Sequence, residues 1–114
     1  MICYSNKAKI ELLSVPLDLI EKHGAVSGEV AAAMANGVRE RSGVSVGLSV
    51  TGIAGPGGAT PTKPVGLVYI GLSVESGQPI TKEYRFHGDR TMIKQRASQA
   101  ALDLLRRWLL ARRP

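Results

Sequence analysis

The stretch from Val44 to Pro64 constrains this chain more than any other. Val46, Leu48 and Val50 alternate with Ser45, Gly47 and Ser49, which is the period of a strand. Val44 to Thr51 therefore reads as a strand with one aliphatic face and one nearly bare face. A bare face implies that a neighbouring element packs close to the backbone. The preceding segment reads as a helix. Val30, Ala33, Met34, Gly37 and Val38 follow the helical period, and Ala31, Ala32, Ala33 and Ala35 are small, which suits close packing against a sheet or another helix. Ser27 can cap that helix, from about Gly28 to Arg41, and Gly43 can end it. A loop rich in glycine and proline, Gly52 to Pro64, follows the strand.

The rest of the chain alternates in type. Ile2 to Tyr4 reads as the end of a strand, and Ser5 as the cap of a helix over Asn6 to Leu13 with Ile10 and Leu13 on one face. Pro16 suits the first turn of a short helix that Gly24 ends, with Leu17, Ile20 and Leu19 as its buried side. Val65 to Val74 and Ile80 to Phe86 read as two strands joined through the turn Gly77-Gln78-Pro79, most economically as a hairpin. Asp89 or Thr91 caps a final helix whose Ile93, Ala97, Ala100, Ala101, Leu104, Leu105 and Trp108 form one apolar stripe. This mixture predicts a layered α/β domain.

The 114 residues amount to about one domain, with no linker, repeat or low-complexity segment. No apolar run approaches the ~20 residues of a membrane span, and no secretory leader is evident, so a cytoplasmic location is the default expectation. The lone Cys3 excludes an intrachain disulfide and a multi-cysteine zinc site. The net charge is +6, but residues 1–89 are neutral, with eight basic and eight acidic residues. Residues 90–114 hold seven basic residues against Asp103 alone, with Arg106, Arg107, Arg112 and Arg113 near the end. Cations there suit the negative end of a helix. That reading is preferred to a nucleic-acid patch, so neither nucleic acid nor membrane is the expected partner.

Two places can carry chemistry. Thr51-Gly52-Ile53-Ala54-Gly55-Pro56-Gly57-Gly58 directly follows a strand. Backbone amides in such a turn can cradle an anion, and ligands of α/β sheets bind beyond strand carboxyl ends. A purely structural loop fits the same residues equally well. A P-loop does not, since no Gly-Lys-Ser/Thr follows. The second place is Tyr4-Ser5-Asn6-Lys7-Ala8-Lys9, where Lys9 stands one helical turn beyond Ser5, with Tyr4 just ahead. A phenol and an amine brought together can move a proton if the lysine pKa is lowered; from the residues alone, a capping serine on a solvated helix is the preferred reading. His23 and His87 lack metal-ligand spacing. Arg90, in His87-Gly88-Asp89-Arg90, can be aimed at an anion from a loop.

These blocks carry a resemblance. Tyr4-Ser5-Asn6 with Lys9, Leu12-Leu13, Val15-Pro16, His23-Gly24-Ala25-Val26-Ser27, Thr51-Gly52-Ile53-Ala54-Gly55-Pro56, Lys63-Pro64-Val65-Gly66 and Phe86-His87-Gly88-Asp89-Arg90 occur in order along essentially the whole chain. The chain resembles the carboxy-terminal domain of the competence/damage-inducible protein CinA, the nicotinamide-nucleotide amidase family.

The resemblance implies an α/β/α three-layer sandwich with a mixed sheet over residues 1–114. It implies hydrolysis of the carboxamide of nicotinamide mononucleotide to nicotinate mononucleotide and ammonia, in pyridine-nucleotide recycling. A homo-oligomer, a small-molecule nucleotide substrate and no metal or other cofactor follow with it. Tyr4 and Lys9 match the family's catalytic tyrosine and lysine, and this reverses the preference for an ordinary Lys9. Ser5, Asn6, Thr51, Gly52, Gly55, Pro56, Gly57, Gly58 and Arg90 are the expected substrate-binding positions. One departure stands out. The family's nucleophilic serine lies in a Glu-Ser-x-Thr-Gly-Gly motif, within about fifty residues that precede the Tyr-Ser-Asn block and also carry a first strand and helix. That motif does not occur in these 114 residues. The expectation is an amidase domain incomplete and inactive as this chain alone; the alternative is a non-catalytic nucleotide-binding or assembly module of the same fold.

Overall fold

The computed structural model describes residues 14–75 and 77–111. The expected strand end at Ile2–Tyr4 and helix over Asn6–Leu13 lie outside them. The described elements run α1 (Leu17–His23), α2 (Gly28–Ser42), β1 (Val46–Gly52), β2 (Leu67–Val74), β3 (Ile80–Arg85) and α3 (Arg90–Ala111). The strands form one sheet in the order β1-β2-β3. Both pairings are antiparallel, with Val46 opposite Val74 in the first and Leu67 opposite Arg85 in the second. The expected hairpin of the last two strands is thus present, and the parallel pairing of a mixed sheet is not among the described strands.

Helix α2 lies on one face of the sheet and α3 on the other, giving the α/β/α layering. The α2 face is the bare one. Added to Gly71, a Cβ would overlap the Ala31 carbonyl oxygen, and added to Gly47 it would overlap that of Ala35. The register sets Ser49 beside Gly71 and Ser73 beside Gly47. Ser49 Oγ donates to the Ala31 carbonyl at 2.5 Å. Ser73 accepts from Arg39 Nε at 2.9 Å and donates to Asn36 Oδ1. Serines that would otherwise be stranded under a helix are therefore satisfied by it, as buried polar groups require. The opposite face is aliphatic: Val68, Ile70 and Leu72 pack against Ile93, Ala97, Ala101 and Leu104 of α3.

Local signals set the helix boundaries. Ser27 caps α2 by accepting from the Val30 amide at 3.2 Å, and Gly43 ends it in the left-handed conformation, φ +65°. Asp89 caps α3, its Oδ1 accepting from the Met92 amide at 2.9 Å. Thr91 lies inside the helix, and Arg90 is the helix's first residue rather than a loop residue.

Some expectations are corrected. Leu17 is 53% exposed, whereas Ile20 is buried and Leu19 partly so; α1 has only seven residues and presents one narrow face to α2. Strand β1 begins at Val46 because the Val44 amide still bonds the Arg39 carbonyl, closing α2. Val65 is exposed and precedes β2, since the Leu67 amide closes a turn onto the Pro64 carbonyl. Arg106 and Arg107 do not complement the helix terminus. Both grip the Asp103 carboxylate, each at 2.9 Å, and Arg106 beside it holds that carboxyl below its ordinary range. Arg112 and Arg113 lie outside the described residues.

Two substitutions test this packing by denaturant unfolding. Leu104→Ala should cost about 2–5 kcal/mol; a change under about 0.5 kcal/mol, the size of a surface effect, would place α3 outside the core. Gly71→Ala should cost about 1–3 kcal/mol as overpacking, and a neutral result would contradict the α2–sheet contact.

Candidate functional site

The loop between β1 and β2 carries most of the expected binding positions. It leaves the sheet under tight constraint. Thr51 Oγ1 is buried and donates to the Ala25 carbonyl at 2.8 Å, just ahead of the α2 cap. Gly52 passes so close to β2 that a Cβ would lie 2.8 Å from Val68 Cγ2 and 3.0 Å from the Leu67 carbonyl oxygen. Buried Ile53 donates its amide to the Leu67 carbonyl at 2.9 Å and accepts from the Gly66 amide at 2.7 Å. These bonds close the base of the loop.

Beyond the base, the chain turns at Gly55, φ +79°, through a cis Gly55–Pro56 peptide, and again at Gly58, φ +90°. A Cβ on Gly55 would lie 2.8 Å from Val65 Cγ1, so both backbone and space require glycine there. Pro56, Gly57 and Gly58 are exposed. The amides of Gly57 and Gly58 have no hydrogen-bond partner among the described residues. Two successive open amides with no side chain between them can accept an anion.

Two long cations strap this loop to the helices. Arg90, in the first turn of α3, donates from Nη1 to the Gly55 carbonyl at 3.2 Å. A guanidinium has five N–H donors, so one such bond leaves capacity for a phosphate. Lys63 Nζ donates to the His23 carbonyl at 2.6 Å, over Gly24, whose φ is +84° and whose missing Cβ makes room for the ammonium. A small turn, with the Thr60 amide on the Lys63 carbonyl at 2.9 Å, presents Lys63 for that bond. Close by, His23 Nδ1 stands 3.1 Å from Glu29 Oε2.

The structure thus brings Thr51, Gly52, Gly55, Pro56, Gly57, Gly58 and Arg90 to one end of the sheet. Thr51 and Gly52 are committed to packing, while Gly57, Gly58 and Arg90 keep donors open. Tyr4, Ser5, Asn6 and Lys9 lie outside the described residues. Sequence reasoning gave Lys63 no role in the site, although Lys63-Pro64-Val65-Gly66 is one of the blocks that carry the resemblance. It also passed over Tyr69, whose hydroxyl donates to Glu83 Oε1 at 2.6 Å in the same cross-strand row as Thr51. The bond to Glu83 raises the Tyr69 pKa above its ordinary value. Among the described residues no three His, Cys, Asp or Glu side chains are grouped to hold a metal, and no helix is long and apolar enough to cross a membrane.

Comparison with known proteins gives a consistent answer. The family model described as CinA C-terminal domain matches residues 1–109. A CinA-like protein of Citrifermentans bemidjiense is 53% identical over 112 residues, covering 98% of this chain and 27% of the relative. A putative competence-damage inducible protein of Clostridium kluyveri is 52% identical over 110 residues, covering 96% of this chain and 27% of its own length. The chain therefore spans about a quarter of these curated relatives. Among solved structures, the competence/damage inducible protein CihA from Agrobacterium tumefaciens superposes with a TM-score of 0.87 at 38% identity, over 90% of this chain and 63% of that one. ComA from Klebsiella pneumoniae superposes with a TM-score of 0.89 at 30% identity, over 96% of this chain and 68% of that one. With its α/β layers, its glycine loop and its motif blocks all accounted for, this chain belongs to the CinA C-terminal domain family.

Proposed function

We propose that this chain is the larger part of a nicotinamide-nucleotide amidase domain, which hydrolyses the carboxamide of nicotinamide mononucleotide to nicotinate mononucleotide and ammonia. The observation that carries the reading is the family match over residues 1–109, which takes in Tyr4, Lys9 and the whole 51–58 loop. The open amides of Gly57 and Gly58 and the strapped guanidinium of Arg90 support a phosphate or ribose subsite at this end of the sheet.

The chemistry proceeds in two steps. A serine hydroxyl attacks the carboxamide carbon, the C–N bond breaks, and ammonia leaves with a proton while an acyl ester forms. Water then adds its oxygen to the acyl carbon, the bond from that carbon to the serine oxygen breaks, and a proton from the water restores the serine hydroxyl as the carboxylic acid leaves. Lys9 and Tyr4 handle the protons, taking one from the hydroxyl and giving one to the departing nitrogen. The Glu-Ser-x-Thr-Gly-Gly motif that would supply the serine is absent from these 114 residues. Ser5 is the one hydroxyl next to Tyr4 in sequence. The substrate site is intracellular in this reading, and the working protein is a homo-oligomer.

Ammonia release is the test. The purified 114-residue chain should release none from nicotinamide mononucleotide, and a protein completed with the serine segment should turn over. In that completed protein, Lys9→Ala should lower kcat by about 10²–10⁴, the range for general acid–base groups, with little change in substrate affinity. Turnover by the 114 residues alone would overturn the reading of incompleteness. A completed protein that binds nucleotide without turnover would favour the non-catalytic module. Gly55→Val in the completed protein should weaken nucleotide binding through lost backbone freedom; unchanged affinity with the fold intact would make the loop purely structural.

A further inference from the structure

Both ends of the glycine loop are tied to the same short connection, residues 24–27, between α1 and α2. Consecutive carbonyls at the start of that connection each accept from a side chain: His23 from Lys63 Nζ at 2.6 Å, Gly24 from Ser27 Oγ at 2.9 Å and Ala25 from Thr51 Oγ1 at 2.8 Å. Thr51 stands where the loop leaves β1, and Lys63 where it returns toward β2. The two ties differ. Thr51 is buried within a strand, so the sheet holds it whether or not its hydroxyl bonds. Lys63 is half-buried and belongs to no strand or helix. Its amide donates to the Thr60 carbonyl at 3.2 Å and to Thr60 Oγ1 at 3.1 Å, and the Thr60 amide donates back to the Lys63 carbonyl at 2.9 Å. Pro61 and Pro64 restrict the same turn. Residues 60–63 therefore move as a unit, and the ammonium joins that unit to the helices.

The seat of that ammonium is shaped for it. His23 is the last residue of α1, where the negative end of a helix favours a cation and a terminal carbonyl needs a donor. Gly24 has φ +84°, and a Cβ there would lie 2.6 Å from Nζ, so any side chain at 24 would displace the lysine. Glu29 of α2 steadies His23 from the other side, its Oε2 3.1 Å from Nδ1. The orientation of the loop tip is then set by its two limbs, held by Arg90 on the Gly55 carbonyl and by Lys63 on the His23 carbonyl. We propose that Lys63 is a positioning residue for anion binding: seated over Gly24, it holds the returning limb so that the Gly57 and Gly58 amides face one ligand together before it arrives. It acts through the loop, not by touching the ligand. The inference rests on the nucleotide subsite proposed above for this loop. Fixing donors in advance lowers the ordering cost of binding, so loss of the strap weakens affinity and leaves the chemistry at the carboxamide alone.

The test compares affinity with turnover in the protein completed with the serine segment. Lys63→Met keeps most of the side-chain length and removes the ammonium. It should raise the Kd of nicotinate mononucleotide about tenfold, the scale of a lost hydrogen bond to a charged group, and raise KM for nicotinamide mononucleotide in step, with kcat within about twofold of its starting value. The Gly57 and Gly58 amide shifts of the ligand-free variant should also move, because the tip reorients. Gly24→Ala, which keeps the lysine but fills its seat, should weaken binding likewise. Lys22→Met, which removes an equal charge from the exposed side of the same helix end, should change none of these. Unchanged Kd and unmoved amide shifts in Lys63→Met overturn the inference, while saturable binding by the unsubstituted protein leaves the nucleotide reading standing. A fall in kcat without a rise in KM overturns it, since the lysine would then act in the chemistry. Equal weakening by Lys22→Met overturns it, since charge and not position would be at work. A Lys63→Met protein that thermal unfolding shows to be unfolded overturns it, since the lysine would then hold the fold. Absence of saturable binding in the unsubstituted protein overturns the nucleotide reading and the inference with it.

Discussion

The rest of this structure depends on a contact between the backbone of a helix and the backbone of a sheet. Helix α2 lies on β1 and β2 with Gly47 and Gly71 beneath the carbonyls of Ala35 and Ala31, leaving no room for a Cβ at either glycine. Ser49 and Ser73 fill the remaining space and turn it to use by hydrogen bonding to the helix. Contacts this close cannot slide, because a shift of one residue in β1 would drive Leu48 or Val50 under the helix and bring the serines to the aliphatic face. The register of the sheet and the position of α2 are thereby fixed together.

The loop inherits its position from that contact. Thr51 is the next inward residue after Ser49 on the same face, and its hydroxyl reaches Ala25 just before α2 begins. The strand therefore ends at a fixed distance from the start of the helix. Arg90 and Lys63 then tie the two limbs of the loop to α3 and to the carboxyl end of α1. Three helices converge on one loop, which leaves its tip, Pro56 to Gly58, exposed with open amides on a held base. A site whose donors are fixed in advance loses little entropy when an anion arrives.

Much of this was legible in the sequence because the signals were local. Alternation of Gly and Ser with aliphatic residues announced the tight face, Ser27 and Gly43 bounded α2, and Asp89 bounded α3. Long-range features were not legible. Lys63 reaches back forty residues to the His23 carbonyl, and no pattern in a single chain encodes such a partner. Arg106 and Arg107 looked like cations for a helix terminus, but a carboxylate three and four residues away competes better than a diffuse partial charge. Leu102 and Leu109 fall outside the apolar stripe read from the sequence, and both are exposed. The catalytic assignments of Tyr4 and Lys9 came through family resemblance, since proximity of a phenol and an amine does not itself lower a lysine pKa.

The loop is held at its base by packing and leaves the Gly57 and Gly58 amides open at its tip, the place proposed above for a nucleotide anion. Amide chemical shifts during titration with nicotinate mononucleotide, in the protein completed with the serine segment, test it most directly. The expected result is saturable shifts at the Gly57 and Gly58 amides and at Arg90 Nε, with Gly77 and the last turns of α3 unmoved. Saturable binding that leaves Gly57, Gly58 and Arg90 unshifted would contradict it.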